Sequence, residues 1–211
     1  MVKIVHLSGN NTHVVTAQAG QVIKEGGVVV YPTETLYGLG ADAMDRNAVA
    51  DVCKLKGRPE NMPIPVIVSS EEMLDEITDR IGDIEKRLIS EFWPGPLTII
   101  FNARGCVPGR ITGGTGSVGT RIPGSDFAIK LANAAGRPIT ATSANAGGLE
   151  TPGDVDDILK QLKGEPDLAL DIGPLRAKIA STVLDARNGK VKIIRRGAVT
   201  LEAINKALKK D

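Results

Sequence analysis

Apolar residues along this chain follow two patterns, one typical of strands and one typical of helices. Short runs rich in β-branched residues, and short stretches that alternate apolar and polar positions, predict strands. The predicted strands cover residues 3–7, 28–31, 64–68, 97–101, 118–122, 139–142, 168–172, 182–185 and 190–195. Asn188-Gly189 stands between the last two of them, and this dipeptide favours a tight hairpin. At least part of the sheet is therefore expected to be antiparallel.

Apolar residues spaced by three and four positions predict helices between these strands. The helical segments are 15–23, 46–55, one that begins at Ser69 or Ser70, 84–92, 125–135, 154–162 and a last one that begins at Thr200. Ser125, Asp154 and Thr200 are side chains that cap the first amides of a helix, while Gly57 and Gly136 favour a helix end. The alternation predicts an α/β fold with a mixed parallel/antiparallel sheet flanked by helices.

Length and composition fit a single domain over residues 1–211, since 42% hydrophobic content suits an ordinary globular core. Residues 102–116 are rich in glycine and are predicted to form a long loop, which is uncommon without a function. No run approaches the roughly 18 apolar residues of a membrane span. The N-terminus lacks the apolar core of a signal peptide. We therefore expect a cytoplasmic protein without membrane contact.

Charge and composition narrow the classes of function. Lys and Arg number 26 against 25 Asp and Glu, so no overall basic charge indicates a nucleic-acid binder, although a local basic cleft stays open. Aromatic residues make up 3% of the chain, which argues against a stacking platform for single-stranded RNA. Cys53 and Cys106 are the only cysteines, and His6 and His13 the only histidines. Neither a Cys/His zinc site nor a Ser-His-Asp triad is expected, and no metal-binding residue is predicted.

The stretch at residues 28–43, VVVYPTETLYGLGADA, is the strongest candidate for chemistry because an apolar strand leads directly into a polar loop. Pro32 is expected to end the strand, since it has no N–H to donate. Four side chains that can form hydrogen bonds follow: Thr33, Glu34, Thr35 and Tyr37. Gly38 and Gly40 would let a backbone or ligand approach closely. These glycines also satisfy a GxGxxA dinucleotide-binding pattern, which we reject because residues 32–37 separate it from its strand.

Three further polar clusters could carry chemistry. Lys56-Gly57-Arg58-Pro59 places two cations at a helix end, where a charged cap alone would also explain them. Residues 109–117, GRITGGTGS, could present consecutive backbone amides to an anion, and Arg121 follows on the next strand. Residues 142–145, TSAN, stand at the carboxyl end of a predicted strand, where α/β proteins bind ligands. Each cluster is weak evidence when taken alone.

Seven motifs in this order resemble the YrdC/TsaC family: YPTETLYGLGADA, KGRP, FWPGPLT, SVGTRIP, TSAN, STVLD and IIRRG. The resemblance spans roughly residues 12–208, and the ordered set is far more specific than any single motif. It implies a YrdC-like fold, a twisted mixed sheet with a concave basic groove. It also implies threonylcarbamoyl-AMP synthase activity, a nucleotidyltransferase reaction of L-threonine, bicarbonate and ATP that releases pyrophosphate. The product would serve N6-threonylcarbamoyladenosine formation at tRNA position 37.

The resemblance implies roles for the residues at matching positions. The ATP site would contain Lys56, Arg58, Ser117, Asn145, Thr151 and Arg195, with Lys56 and Arg58 as the catalytic cations. The threonine site would contain Thr35, Arg121, Ser143 and Ser181. Arg121 is the natural partner for the threonine carboxylate. The implied partners are Mg2+ held largely by the ATP phosphates, a downstream threonylcarbamoyl transferase complex, and tRNA or RNA in the basic groove.

The expected chemistry suits these residue types. Threonine would attack bicarbonate or CO2 to give a carbamate, which would then attack the α-phosphorus of ATP. Such a reaction needs positioning and neutralisation of phosphate charge more than a histidine base. Met62 and Ile67 depart from the family pattern, because they stand where members often carry Asn and His. We also expect the single-domain form, without the second C-terminal domain of longer relatives.

Two other interpretations stay open. The chain could be a non-catalytic RNA-binding or ribosome-associated module of the same fold, which would bind with a steep salt dependence. It could also belong to a sister group that shares the KxR and SxN pairs, an interpretation that Ile67 keeps open. A threonine-stimulated release of pyrophosphate would separate the synthase from the RNA-binding module.

Overall fold

The computed structural model describes residues 2–59, 61–175 and 179–209, and its strands agree with most of the predicted ones. Strands β1 to β11, in chain order, are Lys3–His6, Val29–Pro32, Tyr37–Gly40, Val66–Ile67, Leu97–Asn102, Ser117–Arg121, Ile139–Thr140, Thr142–Ser143, Leu168–Asp171, Thr182–Asp185 and Lys192–Arg195. A short 3-10 helix, Arg187–Gly189, joins the last two strands. These form the predicted antiparallel pair.

Helices alternate with the strands as the apolar spacing predicts. Helices α1 to α8 are Thr12–Lys24, Arg46–Lys56, Glu71–Ile77, Asp83–Phe92, Gly109–Thr112, Asp126–Ala135, Val155–Gln161 and Leu201–Leu208. Four predicted caps accept a hydrogen bond from the amide three residues further on: Ser70, Ser125, Asp154 and Thr200. Gly57 and Gly136 end α2 and α6 in the left-handed backbone region that favours glycine.

The strands form two mixed sheets, where the sequence predicted one. The first sheet has the order β1-β9-β2-β3-β8, and the second has the order β11-β10-β5-β6-β4-β7. Each sheet contains parallel and antiparallel neighbours; β2 is parallel to β9 and antiparallel to β3, for example. The predicted mixed α/β fold is confirmed, with its strands divided between two sheets.

The predicted strand at 139–142 is itself divided between the sheets. Strand β7 pairs with β4 of the second sheet, while β8 pairs with β3 of the first. Thr140 joins them, since its hydroxyl donates to the Leu39 carbonyl at 2.7 Å and accepts from the Ala41 amide at 3.0 Å. Ala141, between the two strands, donates its amide to the Pro65 carbonyl at 2.7 Å. This one segment therefore crosses from one sheet to the other.

The predicted loop after β2 is wrong in its second half, because Tyr37–Gly40 is a strand. Pro32 is the last residue of β2, as predicted, and it pairs with Tyr37 at the start of β3. The polar residues 33–36 form a tight turn, which the Thr33 side chain fixes. Its hydroxyl accepts hydrogen bonds from the Thr35 and Leu36 amides, both at 3.1 Å.

The two glycines of β3 make room for an aromatic ring. A Cβ on Gly38 would lie 3.1 Å from a ring carbon of Tyr31, and one on Gly40 would lie 2.8 Å from it. Tyr31 is fully buried, and its hydroxyl donates to the Thr140 carbonyl at 3.1 Å. At both positions the small residue admits a cross-strand side chain, in addition to any approach by a ligand.

The glycine-rich segment 102–116 is more ordered than the predicted long loop. It contains the helical turn α5, and Ile111 of this turn is fully buried in the core. The Thr112 hydroxyl accepts from the Gly114 amide at 3.2 Å, which closes the turn. The buried apolar side chain, hidden among glycines in the sequence, explains the difference.

Helices cover both faces of the first sheet. Val29 and Tyr31 of β2 pack into a cluster with residues of α1 and α6, whereas Val30 packs into a cluster with residues of α2 and α7. Strand β2 is therefore covered on both faces, which explains its continuous apolar run. A third cluster packs α3, α4 and α8 against the second sheet. No helix within the described ranges has the length and apolar character needed to cross a membrane.

Gly197 is predicted to tolerate no side chain. A Cβ there would lie 2.5 Å from the Ser181 carbonyl carbon and 2.5 Å from the Thr182 amide nitrogen. Both are backbone atoms, so rotating a side chain cannot relieve the clash. We expect Gly197→Ala to lower the free energy of unfolding by about 1–3 kcal/mol in urea denaturation. Gly105→Ala is the control, since nothing lies within 4 Å of its Cβ, and equal stability of both variants would contradict the prediction.

Candidate functional site

A cavity of about 590 Å3 lies where the two sheets meet, a volume within the usual range of small-molecule sites. Its wall takes residues from the turn between β2 and β3, from β8, and from strands of the second sheet. Seven of the ten predicted site residues line it: Thr35, Arg58, Arg121, Ser143, Thr151, Ser181 and Arg195. Motifs far apart in the sequence therefore meet in one space.

Lys56 and Asn145 lie directly behind this wall, in contact with Ser143. The Lys56 ammonium donates to the Ser143 carbonyl, to the Asn145 carbonyl at 2.7 Å and to Asn145 Oδ1 at 3.1 Å. An ammonium group has three N–H donors, so all of them are used within the protein. Lys56 is 4% exposed. Its first effect is to hold the 143–145 segment at the end of α2.

Asn145 connects this arrangement to the cavity. Its Oδ1 also accepts hydrogen bonds from the Ser143 hydroxyl and, at 3.4 Å, from the Thr151 hydroxyl. Its side-chain amide donates to the Ala146 carbonyl at 2.9 Å and to the Leu149 carbonyl at 2.6 Å. Lys56, Ser143 and Thr151 thus share one acceptor, which fixes the two hydroxyls on the cavity wall.

Arg58 is held by neutral oxygen atoms. Nη1 donates to the Thr142 hydroxyl at 3.2 Å, and Nη2 donates to the Met62 and Pro63 carbonyls at 3.1 and 2.9 Å. Its Nε is buried with no hydrogen-bond partner among the described atoms. These contacts orient the guanidinium without neutralising it.

Burial perturbs the pKa values of both cations. Desolvation, with help from the nearby Arg58 charge, lowers the pKa of Lys56 to about 8. Desolvation also lowers the pKa of Arg58. Across the part of the chain that the structure describes, no carboxylate forms an ion pair with either cation. A bound anion would therefore stabilise their charged forms.

Arg121, which lines the cavity, forms an ion pair with Glu34. Arg121 Nη1 contacts Glu34 Oε1, and their side chains are 7% and 20% exposed. Thr35 follows Glu34 in the turn, and its hydroxyl lies 3.0 Å from that of Thr33. A guanidinium and a hydroxyl thus lie side by side on this wall.

Ser181 and Arg195 complete the wall from the second sheet. Arg195 donates to the Ser181 carbonyl at 3.2 and 2.9 Å and to its hydroxyl at 3.1 Å. The Ser181 hydroxyl also lies 3.0 Å from that of Thr98. Burial, followed by the nearby Arg121 charge, lowers the pKa of Arg195. The two guanidinium groups, which both line the cavity, therefore repel each other.

One predicted site residue lies elsewhere. Ser117 and Arg121 stand at opposite ends of β6, about 13 Å apart at the rise of an extended strand, and Ser117 is not part of the cavity wall. Of the two departures from the family pattern, Met62 lines the cavity, whereas Ile67 is fully buried in the core.

Sequence reasoning assigned no site role to three polar contributors, although Glu34 and Thr142 stood inside polar clusters that it named as candidates. Thr98 contacts Ser181, Thr142 holds Arg58, and Glu34 pairs with Arg121. All three lie inside motifs that carry the family resemblance, and a buried polar side chain within an apolar strand was the available signal for Thr98. Their partners are far away in sequence, so spacing alone could not assign them.

The arrangement suits a ligand that carries several negative charges together with a carboxylate. Three guanidinium groups line the wall, and hydroxyl groups stand between them. Guanidinium groups bind carboxylates and phosphates through paired hydrogen bonds. The described residues contain no cluster of three or more Asp, Glu, His or Cys side chains that could hold a metal ion.

Sequence comparison places these features in a known group. The model of the Sua5/YciO/YrdC family, described as telomere recombination, matches residues 21–197. The threonylcarbamoyl-AMP synthase of Pyrococcus abyssi is 37% identical over 190 residues, which cover 90% of this chain and 56% of that protein. The chain therefore spans little more than half the length of this relative.

Two solved structures are similar over nearly all of the chain. P. abyssi Sua5 complexed with L-threonine has a TM-score of 0.90 and 34% identity, covering 99% of this chain and 61% of that one. E. coli YciO has a TM-score of 0.83 and 26% identity, covering 97% of this chain and 98% of that one. On its sequence match and its fold, this chain belongs to the Sua5/YciO/YrdC family.

Proposed function

We propose that this chain condenses L-threonine, bicarbonate and ATP to threonylcarbamoyl-AMP and pyrophosphate, as a nucleotidyltransferase. One observation carries the proposal: a single cavity brings together Arg58, Arg121 and a set of hydroxyl groups, with Lys56 directly behind its wall, and no described carboxylate neutralises Lys56 or Arg58. The P. abyssi relative bears the name of this activity, and its structure contains L-threonine. Both names support the synthase over an RNA-binding module.

The cavity wall offers suitable side chains for each of the two substrates. Arg121 would bind the threonine carboxylate, and the hydroxyls of Thr35, Ser143 and Ser181 would orient its polar groups. Arg58, Arg195 and Thr151 would contact ATP, and the Lys56 charge would act on the phosphates from behind Ser143. Three predicted ATP residues do not line the cavity: Lys56 and Asn145 contact Ser143 of its wall, and Ser117 lies elsewhere.

In this reaction the main role of these residues would be to position the two substrates. The threonine amine would attack CO2 with loss of a proton, or bicarbonate with loss of water, to give a carbamate. The carbamate oxygen would then attack the α-phosphorus as pyrophosphate leaves. Fixed cations stabilise the charge that develops on the phosphoryl oxygens. Mg2+ would be held by the phosphate oxygens, since the described residues offer no ligand cluster, and would neutralise part of their charge.

The product would enter N6-threonylcarbamoyladenosine formation on tRNA in the cytoplasm, through a downstream threonylcarbamoyl transferase complex. Direct binding of tRNA or RNA in the basic groove receives less support. Lys56 and Arg121 are only 4% and 6% exposed, so their charge faces a small enclosed space. RNA contact would need many exposed cations along one surface.

The test is pyrophosphate release from ATP, Mg2+ and bicarbonate, compared with L-threonine, with L-serine and without an amino acid. Release stimulated by threonine is the expected result. Serine should be the weaker substrate because it lacks the methyl group that the pocket can enclose. Folded protein without threonine-stimulated release would contradict the proposal and favour the sister group or the RNA-binding module.

Lys56→Met should abolish most of this activity. The change removes a buried charge and the three hydrogen bonds that hold the 143–145 segment. We expect the rate of pyrophosphate release to fall at least about 100-fold, the usual cost of losing one transition-state contact. Lys54→Met is the matched control, because Lys54 is exposed on the same helix and pairs with Asp51. Equal rates in both variants would rule out this role for Lys56.

ATP binding should take up protons at pH 8. The pKa of Lys56 is lowered to about 8, so roughly half of the molecules carry a neutral lysine at that pH. Phosphate charge nearby favours the ammonium form and raises this pKa, so binding draws in a proton. Titration calorimetry in two buffers of different ionisation enthalpy should show proton uptake in the wild type and less in Lys56→Met. Identical heats in both buffers for the wild type would refute the prediction.

A further inference from the structure

Glu34 is the carboxylate that contacts the cationic wall of the cavity. It follows Thr33 in the turn between β2 and β3, and its Oε1 pairs with Nη1 of Arg121. Arg121 lines the cavity, whereas Glu34 is not one of the lining residues. Glu34 therefore contacts the guanidinium without itself forming part of the cavity wall.

The contact leaves most of the guanidinium available. A guanidinium carries five N–H donors in a planar fork, and Nη1 supplies the one hydrogen bond that the Arg121 side chain makes to described residues. The remaining edge, Nε and Nη2, can bind a carboxylate through two parallel hydrogen bonds. Glu34 thus binds Nη1 of Arg121 and leaves Nε and Nη2 free to donate two hydrogen bonds to a ligand.

Glu34 is itself held in place by its surroundings. The Thr33 hydroxyl fixes the turn by accepting from the Thr35 and Leu36 amides. A Cβ on Gly124 would lie 3.5 Å from Glu34 Cγ and 3.8 Å from Cδ, so the side-chain stem lies against this neighbouring turn. Its Oε2 is buried without a hydrogen-bond partner among the described atoms, which makes the contact with Arg121 its principal polar interaction.

The ion pair between Glu34 and Arg121 also offsets the repulsion between Arg121 and Arg195. Arg195 lies close enough to Arg121 for its pKa to be lowered by that charge. Without a negative neighbour, Arg121 would gain by turning away from Arg195. A carboxylate behind Arg121 offsets this repulsion and favours the orientation that faces the cavity.

We propose that Glu34 is the positioning residue of the amino-acid carboxylate site: it holds Arg121 so that the free edge of the guanidinium faces the ligand. The inference rests on the proposed function, because it takes the Arg121 ligand to be an α-amino acid. On this proposal, binding of the amino acid requires Glu34, a carboxylate that does not itself contact the ligand.

The test compares binding of L-threonine and L-threoninamide by titration calorimetry. Threoninamide keeps the amine, the hydroxyl and the methyl group but lacks the carboxylate. Glu34→Gln should weaken threonine binding at least tenfold and leave threoninamide binding within about twofold, since only the carboxylate depends on Arg121. Glu25→Gln is the control, because Glu25 is exposed and bonded to Gln21.

A double-mutant cycle sharpens the result. Arg121→Lys has no planar fork, so Glu34→Gln should cost little more in that background if Glu34 acts only through Arg121. Additive losses, equal losses for both ligands, or unchanged threonine affinity in Glu34→Gln would each overturn the inference. Should Glu34→Gln fail to fold, Glu34→Asp takes its place with the same expected split between ligands. A wild type that binds no threonine would instead contradict the proposed function.

Discussion

The buried Lys56 ammonium is the constraint on which the site depends. A buried charge is tolerated only when its donors are satisfied, and here the acceptors are the carbonyls of Ser143 and Asn145 and the Asn145 side chain. These atoms are in reach only because the 139–143 segment leaves the second sheet at β7 and joins the first at β8. The end of α2, the crossing segment and both sheets are therefore linked through one interaction.

The way in which the cations are held explains the character of the cavity. Lys56, Arg58 and Arg195 make hydrogen bonds to carbonyl, hydroxyl and amide oxygens, which fix their geometry but leave their charge. Arg121 alone among these four pairs with a carboxylate of the described chain. Anionic ligands can therefore bind to prearranged cations without breaking existing ion pairs. Burial, and after it the neighbouring positive charge, lowers the pKa values of Lys56 and Arg195, and a bound anion would offset both effects.

Features encoded locally were predictable from the sequence, and features that depend on distant contacts were not. Capped helices such as α6 and α7 follow from a polar cap and an apolar period. The sequence did not reveal that Tyr37–Gly40 is a strand, because glycines are typical of loops. Here Gly38 and Gly40 make room for the ring of Tyr31 on the neighbouring strand, a contact that only the structure shows. The Arg121–Glu34 pair joins residues 87 positions apart, and no local pattern records such a contact. Seven of the predicted site residues line the cavity because they came from ordered motifs that match a family.

We propose that one cavity holds both substrates, with threonine at Arg121 and ATP beside Arg58. A crystal structure with L-threonine and α,β-methylene-ATP tests it most directly. We expect the threonine carboxylate within hydrogen-bond distance of the Arg121 guanidinium, and the triphosphate against Arg58 and the 143–145 segment. Threonine bound away from Arg121, or a triphosphate outside the cavity, would contradict it.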